Sequence, residues 1–186
     1  MPAAVPRGFV QYRSDVMGDV YLYTGTGAGK TTNILGLALR SVGHRQKVII
    51  IQFLKWWRNT GEYKIRNRLK PYYEIYLFGR KGWKGLKNLG EKDKRLAREG
   101  LEFALEISRM RKPRLLALDE LNLAVHCELV GVKEVIKLLD SLPKGTDVVI
   151  TGRHAPKELI KRADYVNEIR EIKAPRKLKA RAGIQY

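Results

Sequence analysis

The sequence predicts an α/β fold in one domain, with a mainly parallel sheet flanked by helices. Apolar runs bounded by turn residues recur along the chain, amphipathic stretches lie between them, and several runs are too continuous for half-exposed strands. Alternating strands and helices favour a parallel sheet, because parallel strands need a crossover connection. The length of 186 residues suits one domain of about 150 residues or slightly more.

Six apolar runs predict the strands, and three amphipathic stretches predict helices between them. The predicted strands cover residues 20–23, 48–53, 73–78, 115–118, 148–150 and 165–172. In each helical stretch, apolar residues recur every three or four positions and so share one face. The first face holds Ile34, Leu35, Ala38, Leu39 and Val42, the second Leu96, Gly100, Phe103, Ala104 and Ile107, and the third Val132, Val135, Ile136 and Leu139.

Residues 24–32, which read TGTGAGKTT, form the strongest motif and lie between the first strand and the first helix. Glycines let backbone N–H groups turn toward phosphate oxygens, and the following helix adds the positive end of its dipole. Lys30 supplies a positive charge and Thr31 offers a hydroxyl to Mg²⁺. Thr24 stands where the common motif has its first glycine, so this loop is one residue shorter. The loop residues expected to hold phosphate are Gly25, Thr26, Gly27, Ala28 and Gly29.

Acidic residues follow the strand at 115–118, as the second half of such a site requires. Asp119 and Glu120 are candidate metal ligands, because a carboxylate at the carboxyl end of a parallel strand faces the phosphate loop. Arg153 follows another strand and is expected at the same edge. The sequence shows no Ser-His-Asp or Cys-His arrangement, so the nucleophile of any reaction is expected to come from the substrate.

The charge is unusual, since 37 Lys and Arg against 19 Asp and Glu give a net +18. Residues 55–98 carry 14 basic and 4 acidic residues, a net +10, together with all three tryptophans. This composition predicts an ordered surface excursion with two possible roles. It is either a solvated basic face or a lid or groove for a large, flat, anionic or amphipathic ligand.

Several classes of protein are excluded. One cysteine, Cys127, excludes an intrachain disulfide framework, and the three histidines are too far apart for a local metal motif. No run approaches the roughly 18 apolar residues that a membrane span needs, and residues 1–18 lack the long apolar core of a signal peptide. We therefore expect a cytoplasmic protein with an N-terminal extension over 1–18, a nucleotide-binding domain over 19–186 and no membrane partner.

Six further motifs accompany the phosphate loop. They are GLALRSVGH at 36–44, VIIIQFLK at 48–55, GE at 61–62, DELN at 119–122, TGRHAP at 151–156 and KARAGIQY at 179–186. Together with the loop, these motifs resemble those of the ATP:corrinoid adenosyltransferases of the CobA/CobO/BtuR type. The resemblance runs from near Tyr21 to the last residue and is far more specific than a phosphate loop alone.

The resemblance implies a RecA-like P-loop fold, a homodimer, and transfer of the 5′-deoxyadenosyl group of ATP to the Co(I) of a corrinoid with release of triphosphate. It implies that residues 25–31 hold the triphosphate and that Lys30, Thr31 and Glu120 are catalytic, with Thr31 and Glu120 on Mg²⁺ or Mn²⁺. Trp83 would cover the corrin, and an acidic flavodoxin-like reductant would dock on the basic surface. Because Co(I) carries no proton, the missing base accords with this chemistry.

Five positions depart from the family pattern. Thr26 replaces Asn or Asp, and Ala28 replaces a Lys of the loop. Trp56 stands where a glycine follows Gln-Phe-Leu-Lys, Lys81 where a Phe is expected near the corrin, and Leu123 where a Tyr follows Asp-Glu-Leu-Asn. These departures leave the predicted ATP site better supported than the predicted corrin site.

A second interpretation belongs to a different class of protein. A diverged RecA-like ATP-binding protein or ATPase would use residues 55–98 as a nucleic-acid groove, with Trp56, Trp57 or Tyr72 stacking on bases. Binding to single strands would then fall steeply with salt. The sequence leaves this interpretation open.

Overall fold

The computed structural model describes residues 16–82, 85–175, 177 and 180–186. Its six strands form one sheet in which every neighbouring pair is parallel, which confirms the predicted α/β fold with a parallel sheet. The strands are β1 (Val20–Thr24), β2 (Val48–Phe53), β3 (Tyr73–Phe78), β4 (Leu115–Asp119), β5 (Asp147–Thr151) and β6 (Tyr165–Glu168), in the order β3-β2-β4-β5-β1-β6.

The three predicted helices are present, together with three shorter ones. The helices are α1 (Lys30–Gly43), α2 (Gly61–Lys64), α3 (Glu91–Arg111), α4 (Leu121–His126), α5 (Val132–Ser141) and α6 (Lys157–Arg162). Side chains fix where two of them begin. The Asp93 carboxylate accepts the Gly90 N–H at 3.0 Å, and the Glu134 carboxylate accepts the Gly131 N–H at 2.6 Å, so each satisfies a donor before its helix.

The middle of the sheet is buried on both faces, as the continuous apolar runs predict. Every residue of β2 and β4 is buried, and alternate side chains enter two cores. One core packs Ile34 and Ala38 of α1 against Ile50. The other packs α3, α4 and α5 against residues that include Ile51 and Leu118. Helices therefore cover both faces of the sheet and leave its carboxyl edge open to a ligand.

Two details differ from the prediction. Leu39 is 63% exposed, because the buried face of α1 is centred on Ile34 and Ala38 and Leu39 lies beside it. The last strand ends at Glu168 rather than at residue 172. Its end coincides with a contact in which the Ile169 carbonyl accepts the Gly27 N–H at 2.8 Å, so the chain leaves the sheet edge to meet the phosphate loop.

The basic segment 55–98 contains both regular elements and connections. Strand β3 and the first turns of α3 lie inside it, and the connections before and after β3 carry much of the remaining charge. Residues 56–59 and 79–81 of these connections meet at the carboxyl ends of β2 and β3. The predicted extension over 1–18 lies outside the described residues as far as residue 15. In the described part of the chain, no helix is long and apolar enough to cross a membrane.

Two helical glycines test the packing, because the same added methyl group meets different surroundings. A Cβ on Gly36 of α1 would meet no atom within 4 Å, whereas a Cβ on Gly100 of α3 would lie 2.9 Å from Phe78 Cγ and 3.0 Å from Phe53 Cε1. We expect Gly36→Ala to raise the free energy of unfolding by about 0.5–1 kcal/mol through helix propensity. Gly100→Ala should lower it by about 1 kcal/mol, because overpacking outweighs that gain. Urea denaturation measures both, and stabilisation by both substitutions would contradict the described α3–sheet packing.

Candidate active site

The phosphate loop lies between β1 and α1, and backbone geometry explains its glycines. Gly25 and Gly29 have φ of 100° and 107°, which side chains rarely adopt. A Cβ on Gly25 would lie 2.3 Å from the Ile169 carbonyl oxygen, whereas one on Gly29 would meet nothing within 4 Å. Gly25 is therefore required by the approach of Ile169, and the open side of Gly29, directly before α1, leaves room for a phosphate.

Lys30 is buried within the loop that precedes it. Its Nζ donates to the carbonyls of Gly25 at 2.8 Å and Gly27 at 2.6 Å, and the residue is 7% exposed. Burial lowers the pKa of Lys30, with Arg153 acting in the same direction and Glu120 opposing it. The ammonium group is thus held at the loop by two backbone acceptors, and it has a third N–H donor that suits an anionic phosphate oxygen.

Asp119, at the carboxyl end of β4, is the centre of the polar network. Its carboxylate is fully buried and accepts hydrogen bonds from side chains of four other segments. The donors are Thr31 Oγ1 at 3.0 Å, Gln52 Nε2 at 2.9 Å, Lys55 Nζ at 2.6 Å and Thr151 Oγ1 at 2.7 Å. The network therefore joins β4 to β2, β5, α1 and the connection after β2.

The protonation of Asp119 depends on these donors. Burial is the largest single influence and raises the pKa of Asp119, but the charge and hydrogen bond of Lys55, with the hydrogen bonds of Thr151 and Gln52, hold the pKa below its ordinary value. Asp119 is therefore an anion at neutral pH. A buried carboxylate remains charged in this way only when it is paired and hydrogen-bonded.

Glu120 has the opposite electrostatic character. Its backbone lies in the left-handed region with φ of 62°, and its N–H donates to Thr151 Oγ1 at 3.2 Å. Burial raises the pKa of Glu120 most, and the negative charge of Asp119 raises it further. Its Oε2 is buried without a hydrogen-bond partner among the described residues. An unpartnered carboxylate oxygen beside a phosphate loop fits a divalent cation, which would supply the missing positive charge.

Lys55 reaches Asp119 because the backbone turns sharply after β2. Leu54 has φ of 62°, and its N–H donates to the Phe78 carbonyl at 3.1 Å. A Cβ on Gly79 would lie 2.5 Å from Leu54 C and 2.5 Å from Lys55 N. Glycine at position 79 therefore lets the end of β3 approach this turn and keeps Lys55 directed at the site.

A cavity of about 670 Å³ adjoins this turn and lies beyond Lys55. Lys55 Nζ also donates to Thr31 Oγ1 at 3.0 Å, and the next residue, Trp56, lines the cavity. At the rim, the Trp57 ring contacts the ring of Tyr186 with centroids 5.1 Å apart. The lining residues are Trp56, Trp57, Arg58, Asn59, Leu77, Gly79 and Lys81.

The structure brings most of the predicted site residues to one edge. Thr31 and Asp119 are in contact, and Lys30 and Glu120 interact electrostatically. Arg153 is exposed, yet its charge influences the pKa of both Lys30 and Glu120. Trp83 lies outside the described residues, so its predicted role stays a prediction.

The site includes three polar residues that were not predicted as site residues: Gln52, Lys55 and Thr151. Each lies at or just after the carboxyl end of a strand that is otherwise apolar. That position was a usable signal, because the carboxyl ends of parallel strands meet at one edge of the sheet. What the sequence does not show is that all three converge on one carboxylate.

A phosphate loop on β1, an acidic residue on β4, and β5 between these two strands define a P-loop protein of RecA-like fold. The family model for ATP:corrinoid adenosyltransferase BtuR/CobO/CobP matches residues 17–186. The chain belongs to this family.

Curated relatives agree with the family match. A corrinoid adenosyltransferase from Sinorhizobium sp is 32% identical over 178 residues, which cover 94% of this chain and 83% of the relative. One from Escherichia coli strain K12 is 32% identical over 179 residues, with 95% and 90% covered. Corrinoid adenosyltransferase CobA from Salmonella typhimurium is 31% identical over 171 residues, with 91% and 86% covered.

The ion pair between Lys55 and Asp119 gives a stability test. The Asp119 carboxylate is fully buried, and the Lys55 side chain is 31% exposed. Removing one partner leaves a buried charge without its counter-charge, so we expect Lys55→Met to lower the free energy of unfolding by about 2–3 kcal/mol near pH 7. The effect should be smaller in Lys55→Met/Asp119→Asn than in Lys55→Met alone, because the double variant has no orphaned charge.

The same variants give a pH dependence. In the wild type the pKa of Asp119 is lowered by folding, so its stabilising contribution is complete above the unfolded pKa of about 4 and is lost as the pH falls through the folded pKa. In Lys55→Met the charge that opposes burial is absent, so we expect the pKa of Asp119 to be raised. Protonation of Asp119 then removes the unpaired charge as the pH falls, and the variant regains stability. The stability difference between the two proteins should therefore shrink from about pH 7 toward pH 4, as urea denaturation at several pH values would show. A pH-independent difference would refute the assigned pairing.

Proposed function

We propose that this protein transfers the 5′-deoxyadenosyl group of ATP to the Co(I) of a corrinoid and releases triphosphate. The observation that carries the proposal is the juxtaposition of a phosphate loop with a tryptophan-walled cavity, in a chain whose family match extends over residues 17–186. Lys55 connects the two regions, since it contacts Thr31 and directly precedes Trp56. The two substrates would therefore meet at this edge of the sheet.

The reaction needs no general base from the protein. Co(I) of the substrate donates an electron pair to C5′ of ATP, the Co–C bond forms, and the C5′–O bond breaks with its electrons leaving on triphosphate. Negative charge develops on that leaving oxygen, where Lys30 and the N-terminus of α1 provide fixed positive charge. The protein contributes by orienting the two substrates, stabilising the leaving group and excluding water.

We assign the triphosphate to the residues that the sequence indicates. The phosphates would be surrounded by Lys30 and the loop residues before it, which are Gly25, Thr26, Gly27, Ala28 and Gly29. Among these, Gly27 already donates its N–H to the Ile169 carbonyl. Glu120 and Thr31 would hold Mg²⁺ or Mn²⁺, which would neutralise part of the triphosphate charge. Asp119 has four side-chain donors, so we assign it contact with the metal through water.

Further aspects of the proposal concern partners. The net charge of +18 supports docking of an acidic flavodoxin-like reductant, which would supply electrons to the corrinoid. A homodimer follows from the resemblance, and Trp83 is proposed to cover the corrin. The single cysteine, Cys127, suits a reducing cytoplasm. The family match does not favour the nucleic-acid interpretation, and the basic surface is assigned to these partners instead.

Lys30→Ala tests the reaction together with the phosphate site. We mix the protein with ATP, Mg²⁺ and chemically reduced cobalamin and measure the light-sensitive adenosyl product and triphosphate. The wild type should form both above the uncatalysed background. Lys30→Ala should lose at least about 100-fold in kcat/KM, because the charge on the departing triphosphate is no longer compensated. Lys133→Ala, on an exposed position of α5, is the matched control and should retain activity. No product from the wild type would refute the proposed function.

Glu120→Gln tests the metal assignment without turnover. Mn²⁺ binding in the presence of ATP is measured by electron paramagnetic resonance. We expect the apparent Kd for Mn²⁺ to rise about tenfold or more, because the amide cannot supply the negative charge of the ligand. ATP binding without metal should change little. Unchanged Mn²⁺ affinity would remove Glu120 from the metal site.

A further inference from the structure

The cavity beside Lys55 has a distinctive combination of shape and charge. Trp56, Trp57 and Leu77 provide apolar surface, and Arg58 and Lys81 provide two cations. None of the described residues that line the cavity is acidic. Its volume of about 670 Å³ is in the range usual for small-molecule sites. The lining thus favours a ligand that is apolar over a broad face and anionic at its edge.

The two cations are available to such a ligand. Within the described part of the chain, neither Arg58 nor Lys81 forms an ion pair with an acidic residue. The neighbouring Arg80 differs, because it is paired with Asp93 at 3.1 Å and donates to the Asn88 carbonyl at 2.8 Å. Arg80 therefore holds the connection together, a role that the contacts of the described residues do not give to Arg58 or Lys81.

Arg58 is also held near the cavity by a neighbouring ring. Its guanidinium carbon lies 5.9 Å from the centre of the Tyr63 ring, at the outer limit of a cation–π contact. The guanidinium carbon of Arg66 lies closer to the centre of the same ring, at 3.8 Å. The contact of Arg58 is weak enough to leave its N–H donors for a ligand, and guanidinium groups bind carboxylates through two parallel hydrogen bonds.

A corrinoid has a flat macrocycle with acetate and propionate side chains at its edge, which occur either as free carboxylates or as amides. An amidated edge would leave both cavity cations without a counter-charge, whereas a carboxylate edge would compensate them. The charge of the cavity therefore bears on which kind of corrinoid the protein accepts.

We propose that Arg58 and Lys81 are specificity-determining residues that select corrinoids with free peripheral carboxylates over amidated corrinoids. This inference rests on the proposed function, since it assigns the substrate class of that same site. The aromatic walls would accept either macrocycle, and the two cations would distinguish them by charge.

Equilibrium binding tests the inference without catalysis. Quenching of tryptophan fluorescence is measured with the aquo forms of cobyrinic acid, whose side chains are free carboxylates, and of cobinamide, whose side chains are amides. The wild type should bind cobyrinic acid at least about tenfold more tightly. Arg58→Gln and Lys81→Gln should each weaken that binding about fivefold and leave cobinamide binding nearly unchanged. The preference should also decrease between about 0.05 and 0.5 M NaCl, because salt screens exposed charges.

Two controls separate charge in the cavity from charge in general. Lys133→Gln on α5 removes the same charge at an exposed position outside the cavity lining and should preserve the preference. Lys81→Arg keeps the cation and should preserve most of it. Equal affinity of the wild type for both corrinoids, or an equal effect of Lys133→Gln, would overturn the inference.

Catalysis is measured in parallel with both corrinoids after reduction. Adenosylation of both with equal kcat/KM would retain the proposed function and refute the specificity. Preferential binding of cobyrinic acid with no adenosyl product from either corrinoid would instead refute the proposed function. Salt-dependent binding of a single-stranded oligonucleotide that is lost in Arg58→Gln and Lys81→Gln, without corrinoid discrimination, would contradict the assigned ligand class.

Discussion

Asp119 carries a negative charge at a position that water does not reach, and the arrangement of the site depends on how that charge is compensated. A buried carboxylate without partners would cost several kcal/mol. Four side chains from separate segments supply the partners. Because each donor must lie within about 3 Å of the same two oxygens, the carboxylate fixes the relative positions of β2, β5 and α1 at this edge of the sheet.

The same requirement links the two halves of the proposed site. Lys55 belongs to the turn before the tryptophans and contacts both Asp119 and Thr31, so the cavity wall is anchored to the first helix of the phosphate site. Gly79 allows the turn to approach the end of β3. Glu120 follows Asp119 directly, but among the residues that the structure describes its Oε2 has no hydrogen-bond partner. Adjacent carboxylates therefore have different surroundings: Asp119 is saturated with hydrogen-bond donors, and Glu120 has an oxygen suited to a cation.

The sequence predicted much of the fold because the signals were local. Continuous apolar runs identified all six strands to within a few residues, and helical periodicity identified α1, α3 and α5. It did not predict that Leu39 is exposed, because five apolar residues spread over more of the helix than one sheet face can cover. It also placed the end of the last strand too late. Residues 169–172 are partly apolar. Ile169 still donates its N–H to the Thr24 carbonyl at 2.8 Å, but its own carbonyl accepts the Gly27 N–H of the phosphate loop, a contact between positions far apart in the chain.

By itself the sequence determined the parallel α/β architecture, the phosphate loop, the acidic pair Asp119 and Glu120 and the concentration of charge near the tryptophans. Each of these features depends on residues that are close together in the chain. Only the tertiary structure decided that Gln52, Lys55 and Thr151 converge on Asp119. It also decided that Arg58 and Lys81 line one cavity, while Arg80, next to Lys81 in the chain, is paired with Asp93. Distance and burial control both outcomes: a charge changes its pKa and its partners only when the folded chain removes water and brings distant segments within hydrogen-bonding reach.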